Sequence, residues 1–408
     1  MDKFVKLILA LSYLKDYNIN KGVITIKATN IFIEYFKKTN KLFWIVSILI
    51  SAYSLALLAS VSRNHGNYFR HQFIAIIAGY ISAYIFTKVN YQVVAKRWYI
   101  PAGICLALLA YSLFFGASVE GSDGVNAKAW IILPGNITFQ PSELAKIGFM
   151  ITFSQHLAYL KKQDKIKEFK HVALLGVHAL IPIIITHVQG DDGAAIIFFF
   201  MFLTMSFAAG IQLRYFIAIL LAIAIAFPIA WKFGILEDYQ KERLLIMFNL
   251  DSNLSDYGYQ QFQGRTSIAS GKILGRGLFS GPRVGNDDVP VAQSDFIFSV
   301  VGEELGFIGC IAVIILLTAL ICITVYIAKK SCDDLGKYIC YGFIGMIMSQ
   351  TIFNLGMCLN ILPVMGVTLP FFSAGGSSAA CLYLAIGLVQ NVFMHRDNKD
   401  LILLEENN

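Results

Sequence analysis

The stretch SDFIFSVVGEELGFIGCIAVIILLTALICITVYIA, Ser294 to Ala328, opens with three acids and then carries no charge from Leu305 to Ala328. An uncharged apolar run of that length reads as a helix crossing a bilayer. As one helix, Phe296 to Ala328 would be about 50 Å long at 1.5 Å per residue. The hydrocarbon layer is only about 30 Å thick. The helix must therefore tilt, protrude, or break near Gly302 or Gly306, and a break would gather Asp295, Glu303 and Glu304 around a cavity at its polar end.

Nine similar runs accompany it. The expected helices lie near 42–61, 70–88, 98–116, 142–160, 171–188, 193–211, 213–233, 304–328, 336–358 and 376–394. The fold class is an all-α polytopic membrane protein of about ten transmembrane helices. One large extracytoplasmic loop, about 234–303, joins the seventh and eighth. Composition agrees: of 408 residues 57% are hydrophobic and only 14% charged, where soluble domains carry roughly a quarter. A soluble enzyme, a disordered chain and a fibrous repeat are excluded. Long unbroken apolar runs also argue against a β-barrel of ~10-residue alternating strands. The seven cysteines have no CxxC or Cys/His metal spacing and read as small core residues.

The net charge of +7 reports orientation rather than nucleic-acid binding. Counting Lys and Arg, the side holding both termini carries 22 and the short loops opposite carry three, Arg63, Arg70 and Lys128. The positive-inside rule then places both termini in the cytoplasm of a cell whose plasma membrane the chain spans. Residues 1–41 form a basic extension in which Phe4 to Leu14 suits an interfacial amphipathic helix touching membrane lipids. No cleavable leader is expected. Residues 42–395 form the membrane domain and 396–408 a cytoplasmic tail.

Four polar groups converge on the extracytoplasmic face. The first holds Lys128 and Trp130, then Gln140-Pro-Ser142-Glu143-Leu-Ala-Lys146, where Pro141 marks a helix start. Glu143 and Lys146, three apart, share a helix face. A lysine one turn inside a span is costly and faces a partner or a cavity, either as a structural ion pair or as a grip on an anion. The second is Gln189-Gly-Asp191-Asp192-Gly193, where Asp191 either caps the next helix or contacts a sugar or cation. The third is the long loop, with Gln260, Arg265, Lys272 and Arg276 and a Gly-rich stretch that ordinary loop flexibility would explain. It ends at Asp295, either a helix cap or a candidate general base. The fourth, Asn354-Leu-Gly-Met and Leu362 to Ser378, mixes prolines, glycines and serines, among them Ser377 and Ser378, at membrane depth. It is either a plain connection or a re-entrant cavity wall, since irregular backbone there needs protein or water around it.

Four elements in order on ten helices, Gln140 to Lys146, Tyr259 to Gly277, Ser294-Asp-Phe-Ile-Phe with Gly302 to Gly306, and Asn354-Leu-Gly-Met with Leu369-Pro-Phe and Gly375-Gly-Ser-Ser378, resemble the SEDS family of cell-wall proteins, which includes RodA, FtsW and SpoVE. The resemblance spans roughly residues 41–395. It implies a peptidoglycan glycosyltransferase that polymerises lipid II at the outer face of the cytoplasmic membrane, with a class B penicillin-binding protein as partner. It also implies that Asp295 is the catalytic residue and that Glu143 and Lys146 line a central cavity. The residue types suit that chemistry. A carboxylate can take the proton of a sugar hydroxyl. Lys146, with Arg265, Lys272 or Arg276, or a divalent cation such as Mg²⁺ or Mn²⁺, can neutralise a lipid diphosphate leaving group; no organic cofactor is expected. Direct displacement predicts inversion. The chain departs from the family pattern at Ala129, Gly190, Gln293 and Ala374, which leaves a non-catalytic scaffold of the elongation or division machinery as a competing reading; a lipid flippase is another, because a charged cavity within the membrane also fits transport.

Overall fold

The computed structural model describes residues 35–63, 67–117, 128–134, 137–234, 236–247 and 257–397. The expected interfacial helix at Phe4–Leu14, most of the basic extension and nearly all of the 396–408 tail lie outside these residues. The chain divides after Lys41, and the unit from Leu42 holds the helices below.

Ten helices of at least 17 residues occupy the ten expected ranges: α1 Lys41–Val61, α2 Tyr68–Thr87, α4 Tyr99–Phe115, α5 Pro141–Lys162, α6 Phe169–Val188, α7 Asp192–Ala209, α8 Leu213–Lys232, α12 Ile297–Lys330, α13 Asp334–Cys358 and α14 Gly376–Met394. Seven of them are both long and apolar enough to cross a membrane by length and composition. Of the other three, α4 is apolar but only 17 residues long.

α13 is the centre of the bundle, buried along most of its length. It packs on α5 and α7 through Gly342 and Gly345, where an added Cβ would lie 2.7 Å from Met150 on α5 and 2.1 Å from Thr204 on α7. α2 and α14 meet in the same way, with Gly79 against the Tyr383 ring and Gly387 against the Ala83 backbone. Small residues let membrane helices approach closely where no hydrophobic drive exists between them. α8 is the opposite case, since none of its residues is buried. Its surface of Ile, Leu and Phe suits lipid.

The sequence reading leaves the 234–303 segment as a loop, but much of it is ordered. It contains α9 Asp238–Ile246, α10 Tyr257–Ser270 and the short α11 Pro282–Gly285. Two further small elements escape the hydropathy pattern. One is α3 Tyr91–Lys96. The other is a hairpin of β1 Ile131–Leu133 and β2 Ile137–Phe139, paired Ile131 with Phe139.

The expected break in the long helix is real and lies at Gly306, with φ 65° and ψ −160°. Only glycine tolerates that region. The break interrupts the helical ladder, and the Gly-rich stretch of the loop takes it over. Arg276 and Gly277 N–H donate to the Glu303 and Glu304 carbonyls at 3.0 and 2.9 Å. Phe307 and Ile308 N–H donate to the Lys272 and Ile273 carbonyls at 2.9 and 3.2 Å. The glycines are thus a matter of close approach, not flexibility. A Cβ on Gly271 would stand 1.9 Å from the Gly302 oxygen, and one on Gly275 2.2 Å from that of Glu304. Both obstacles are backbone, so Gly271→Ala is expected to destabilise by ~3 kcal/mol or more. The measurement is a lowered thermal midpoint in detergent with new proteolysis between residues 271 and 285. A wild-type midpoint would contradict the clamp.

Candidate active site

α5 begins as its sequence dictates. Gln140 is the N-cap and Pro141 the first helical residue, where a missing donor costs nothing. Glu143 and Lys146 then fall on one face, and Lys146 Nζ donates to Glu143 Oε1 at 2.7 Å. Both side chains are buried, Lys146 at 1% exposure and Glu143 at 7%. A buried pair this close is held as a unit.

Asp191 joins this cluster and also caps α7. Its Oδ1 accepts from Ala194 N–H at 2.9 Å. Its Oδ2 accepts from Gln140 Nε2 at 2.7 Å and Ser142 Oγ at 3.1 Å. Asp191 thus caps α7 through one carboxylate oxygen and holds the start of α5 through the other. Burial pushes the Asp191 carboxyl up from the ordinary range. Ala194 N–H, the Lys146 charge, Ser142 and Gln140 oppose that rise. An acid whose folded pKa is raised binds its proton more tightly folded than unfolded, so stability falls as pH rises from the unfolded value, about 3.9, through the folded one. Asp191→Asn keeps a capping residue and is expected to flatten the melting temperature across that window. An unchanged pH profile in the variant would refute this.

Asp295 lies in the turn before α12 and is buried, at 9% exposure. The helix cap is Phe296, so the capping alternative for Asp295 fails. Its backbone is pinned by Asn354, fully buried on α13, whose Nδ2 donates to the Asp295 carbonyl at 2.8 Å and the Val367 carbonyl at 2.7 Å.

The segment between α13 and α14 brings the two parts together. Ser373 Oγ donates to the Ser294 carbonyl at 2.6 Å, and Ala374 N–H to the Gln293 carbonyl at 2.8 Å. Three residues later, Ser377 Oγ accepts from Gln140 N–H at 3.4 Å. Three extended residues reach about 11 Å at most. The turn that carries Asp295 and the helix start that carries Glu143 thus flank the Gly-Gly-Ser-Ser start of α14. Ser378 lines a narrow cleft there with Thr368, Ser373 and Gly375.

Other expected site residues sit elsewhere. Glu303 and Glu304 do not join Asp295 in a cavity. Glu304 Oε1 accepts from Ser60 Oγ at 2.5 Å and Glu303 Oε1 from Arg283 N–H at 2.8 Å. They anchor the loop to α12, because the Gly306 break turns this half-helix onto the 271–285 segment. Arg265 is exposed on α10, and Lys272 and Arg276 on the segment that follows it. Lys128 is exposed beside the hairpin, and Trp130 pairs through its carbonyl with Ala117 N–H at 2.8 Å. Gln260 is buried on α10.

Three residues that matter escape the sequence reading. Gln261 Nε2 ties α10 to the Met357 and Leu362 carbonyls at 3.0 and 2.9 Å. Arg283 links Glu303 to Ser267, with Nε to Ser267 Oγ at 3.1 Å, and also reaches Gln263. Gln72, 1% exposed on α2, accepts from Gly375 N–H at 3.2 Å. Only an uncharged polar residue inside an apolar run could have pointed to Gln72.

A family model described as cell cycle protein, covering FtsW, RodA and SpoVE, matches residues 37–398. The chain belongs to the FtsW/RodA/SpoVE family. Among its relatives, the probable peptidoglycan glycosyltransferase FtsW of Geobacter metallireducens is 32% identical over 352 residues, 84% of this chain and 90% of that protein. The peptidoglycan glycosyltransferase MrdB of Escherichia coli K12 is 30% identical over 293 residues, 72% and 76% of the two chains. A chain of a peptidoglycan synthase complex that coordinates polymerization and crosslinking superposes with TM-score 0.75 at 26% identity, covering 88% of this chain and 99% of that one. RodA of Thermus thermophilus shares the fold, with TM-score 0.66 at 24% identity over 88% and 98% of the chains. The family is one of polytopic membrane proteins, which agrees with the ten-helix bundle.

Proposed function

We propose that this chain is a peptidoglycan glycosyltransferase that polymerises lipid II at the outer face of the bacterial cytoplasmic membrane. The observation that carries the reading is the Gly-Gly-Ser-Ser turn with Asp295 on one flank and the buried Glu143–Lys146 pair on the other. The similar proteins named as peptidoglycan glycosyltransferases support it.

Asp295 accepts the proton of the incoming sugar hydroxyl as the new bond forms. Lys146, held by Glu143, offsets the charge that develops on the departing lipid diphosphate. Attack opposite the leaving group inverts the anomeric centre and turns an α-linked donor into a β-linked product. Among the described residues no three His, Cys, Asp or Glu side chains gather as a metal cage. A hydrated Mg²⁺ or Mn²⁺ bound largely through the diphosphate oxygens needs only one or two carboxylates and would add charge neutralisation. The crosslinking partner is a transpeptidase, a class B penicillin-binding protein, in line with the synthase complex that the fold matches. The bias of 22 basic residues against three supports an orientation with both termini inside.

The test is polymerisation of purified lipid II with and without the cognate transpeptidase. Glycan strands with β-linkages are expected, and no product in the presence of a verified partner would overturn the reading. In intact spheroplasts, Asn286→Cys should react with an impermeant maleimide; reaction only after lysis would reverse the orientation.

A further inference from the structure

Gln72 lies in the first turns of α2 and is 1% exposed. Its Oε1 accepts from Gly375 N–H at 3.2 Å. That bond fixes which end of the amide carries the nitrogen. Nε2 of the same amide meets no acceptor among the described residues. A donor buried in this way is costly and calls for an explanation.

The residue that Gln72 holds is the N-cap of α14. Glycine has no side chain with which to cap, so the end of the helix stays open. Its first bond runs from Ala379 N–H to the Gly375 carbonyl at 2.8 Å, and the N–H groups of Gly376, Ser377 and Ser378 have no carbonyl to meet among the described residues. The Ser378 side opens on the cleft beside them. Free N–H groups at the positive end of a helix attract an anion, phosphate above all.

The two glycines have no reason within the chain. Gly375, at φ 178°, is extended backbone that any residue adopts, and Gly376 is not in the left-handed region either. A Cβ on Gly376 would meet nothing within 4 Å, and one on Gly375 only Ser378 Cβ at an ordinary 3.5 Å. Gly271 and Gly275, by contrast, are forced by backbone contacts. Glycine also serves where a ligand approaches the backbone closely, and Gly376 is exposed on the side from which one would come.

We propose that the start of α14 binds a phosphate of the lipid diphosphate, through the N–H groups of Gly376, Ser377 and Ser378, the Ser378 hydroxyl and Gln72 Nε2. The place suits the chemistry. Ser377 Oγ accepts from the N–H of Gln140, the cap of the helix that carries Lys146, and Ser373 holds the Ser294 carbonyl next to Asp295. The identity of the ligand rests on the polymerase reading above. A phospholipid headgroup offers the same phosphate chemistry, so the test must separate the two.

The test is equilibrium binding of farnesyl diphosphate to the full chain in detergent, beside farnesol and phosphatidylglycerol. Gly376→Asp is the deciding variant. A carboxylate in the first turn favours a helix, so the melt should not fall, while like charge should weaken farnesyl diphosphate binding about tenfold or more. Farnesol binding should not change. Gln72→Met should weaken the diphosphate about tenfold, the worth of one hydrogen bond to a charged group; if it melts early, Gly376→Asp alone decides. Wild-type affinity in folded Gly376→Asp would overturn the site, as would equal affinity for phosphatidylglycerol. Glycan synthesis by wild type with either result would sink the site and spare the polymerase. Site-dependent diphosphate binding with no glycan from a verified pair would do the reverse.

Discussion

Asp295→Asn is expected to cut glycan polymerisation by about 10³-fold while the protein melts as wild type. General-base catalysis contributes roughly 10²–10⁴, and an amide cannot accept the proton. Folding should survive because the helix cap is Phe296 and the anchor at this point is the Asp295 carbonyl on Asn354, which the substitution keeps. The measurement is lipid II turnover at saturating substrate, together with a thermal melt. Wild-type turnover in a well-folded variant would remove Asp295 as the base. Loss of both activity and stability would make it a structural residue instead.

Lys146→Ala should have the second largest effect, and on two quantities. Removing the cation leaves Glu143 buried without the partner that Lys146 Nζ supplies at 2.7 Å. Breaking a buried pair this way costs about 3–5 kcal/mol. The loss should be visible as a lower melting temperature and as failed polymerisation. The double variant Glu143→Gln/Lys146→Met separates the two effects. With no charge left to bury, it should recover most of the stability, because buried pairs add little net stability over apolar replacements. Polymerisation should stay absent, since the Lys146 charge no longer offsets the one that develops on the diphosphate. Recovery of activity along with stability would show that the pair is structural only.

The bundle was legible because its signal is long. Ten apolar runs survive any plausible error at their ends, and the excess length of Phe296 to Ala328 called for a tilt, a protrusion or a break, of which the structure shows a break at Gly306. Glu143, Lys146 and Asp295 were legible because charge in an apolar setting is rare and costly. What failed was direction. Glu303 and Glu304 are as unusual in sequence as Asp295, yet a single glycine with φ 65° turns them onto Ser60 and Arg283. Hydropathy cannot see a dihedral angle. Gln261, Arg283 and Gln72 were missed for a related reason, as their partners lie far away in sequence: backbone groups for Gln261 and Gln72, the Glu303, Ser267 and Gln263 side chains for Arg283.

The graft at Gly306 also bears on how the chain is made. Residues 271–277 leave the ribosome before residues 302–308, so one face of the junction is already present when the other arrives. Membrane insertion machinery then needs to recognise only Phe307 to Lys330 as a span, 24 residues by number and about 36 Å as a helix. The nine residues from Ile297 to Leu305 are left to fold against a neighbour that came first, within a loop short enough for closure to cost little. The part of the helix that presents Asp295 is therefore assembled on the water side of the junction. A mutation there should disturb the site without misdirecting the span.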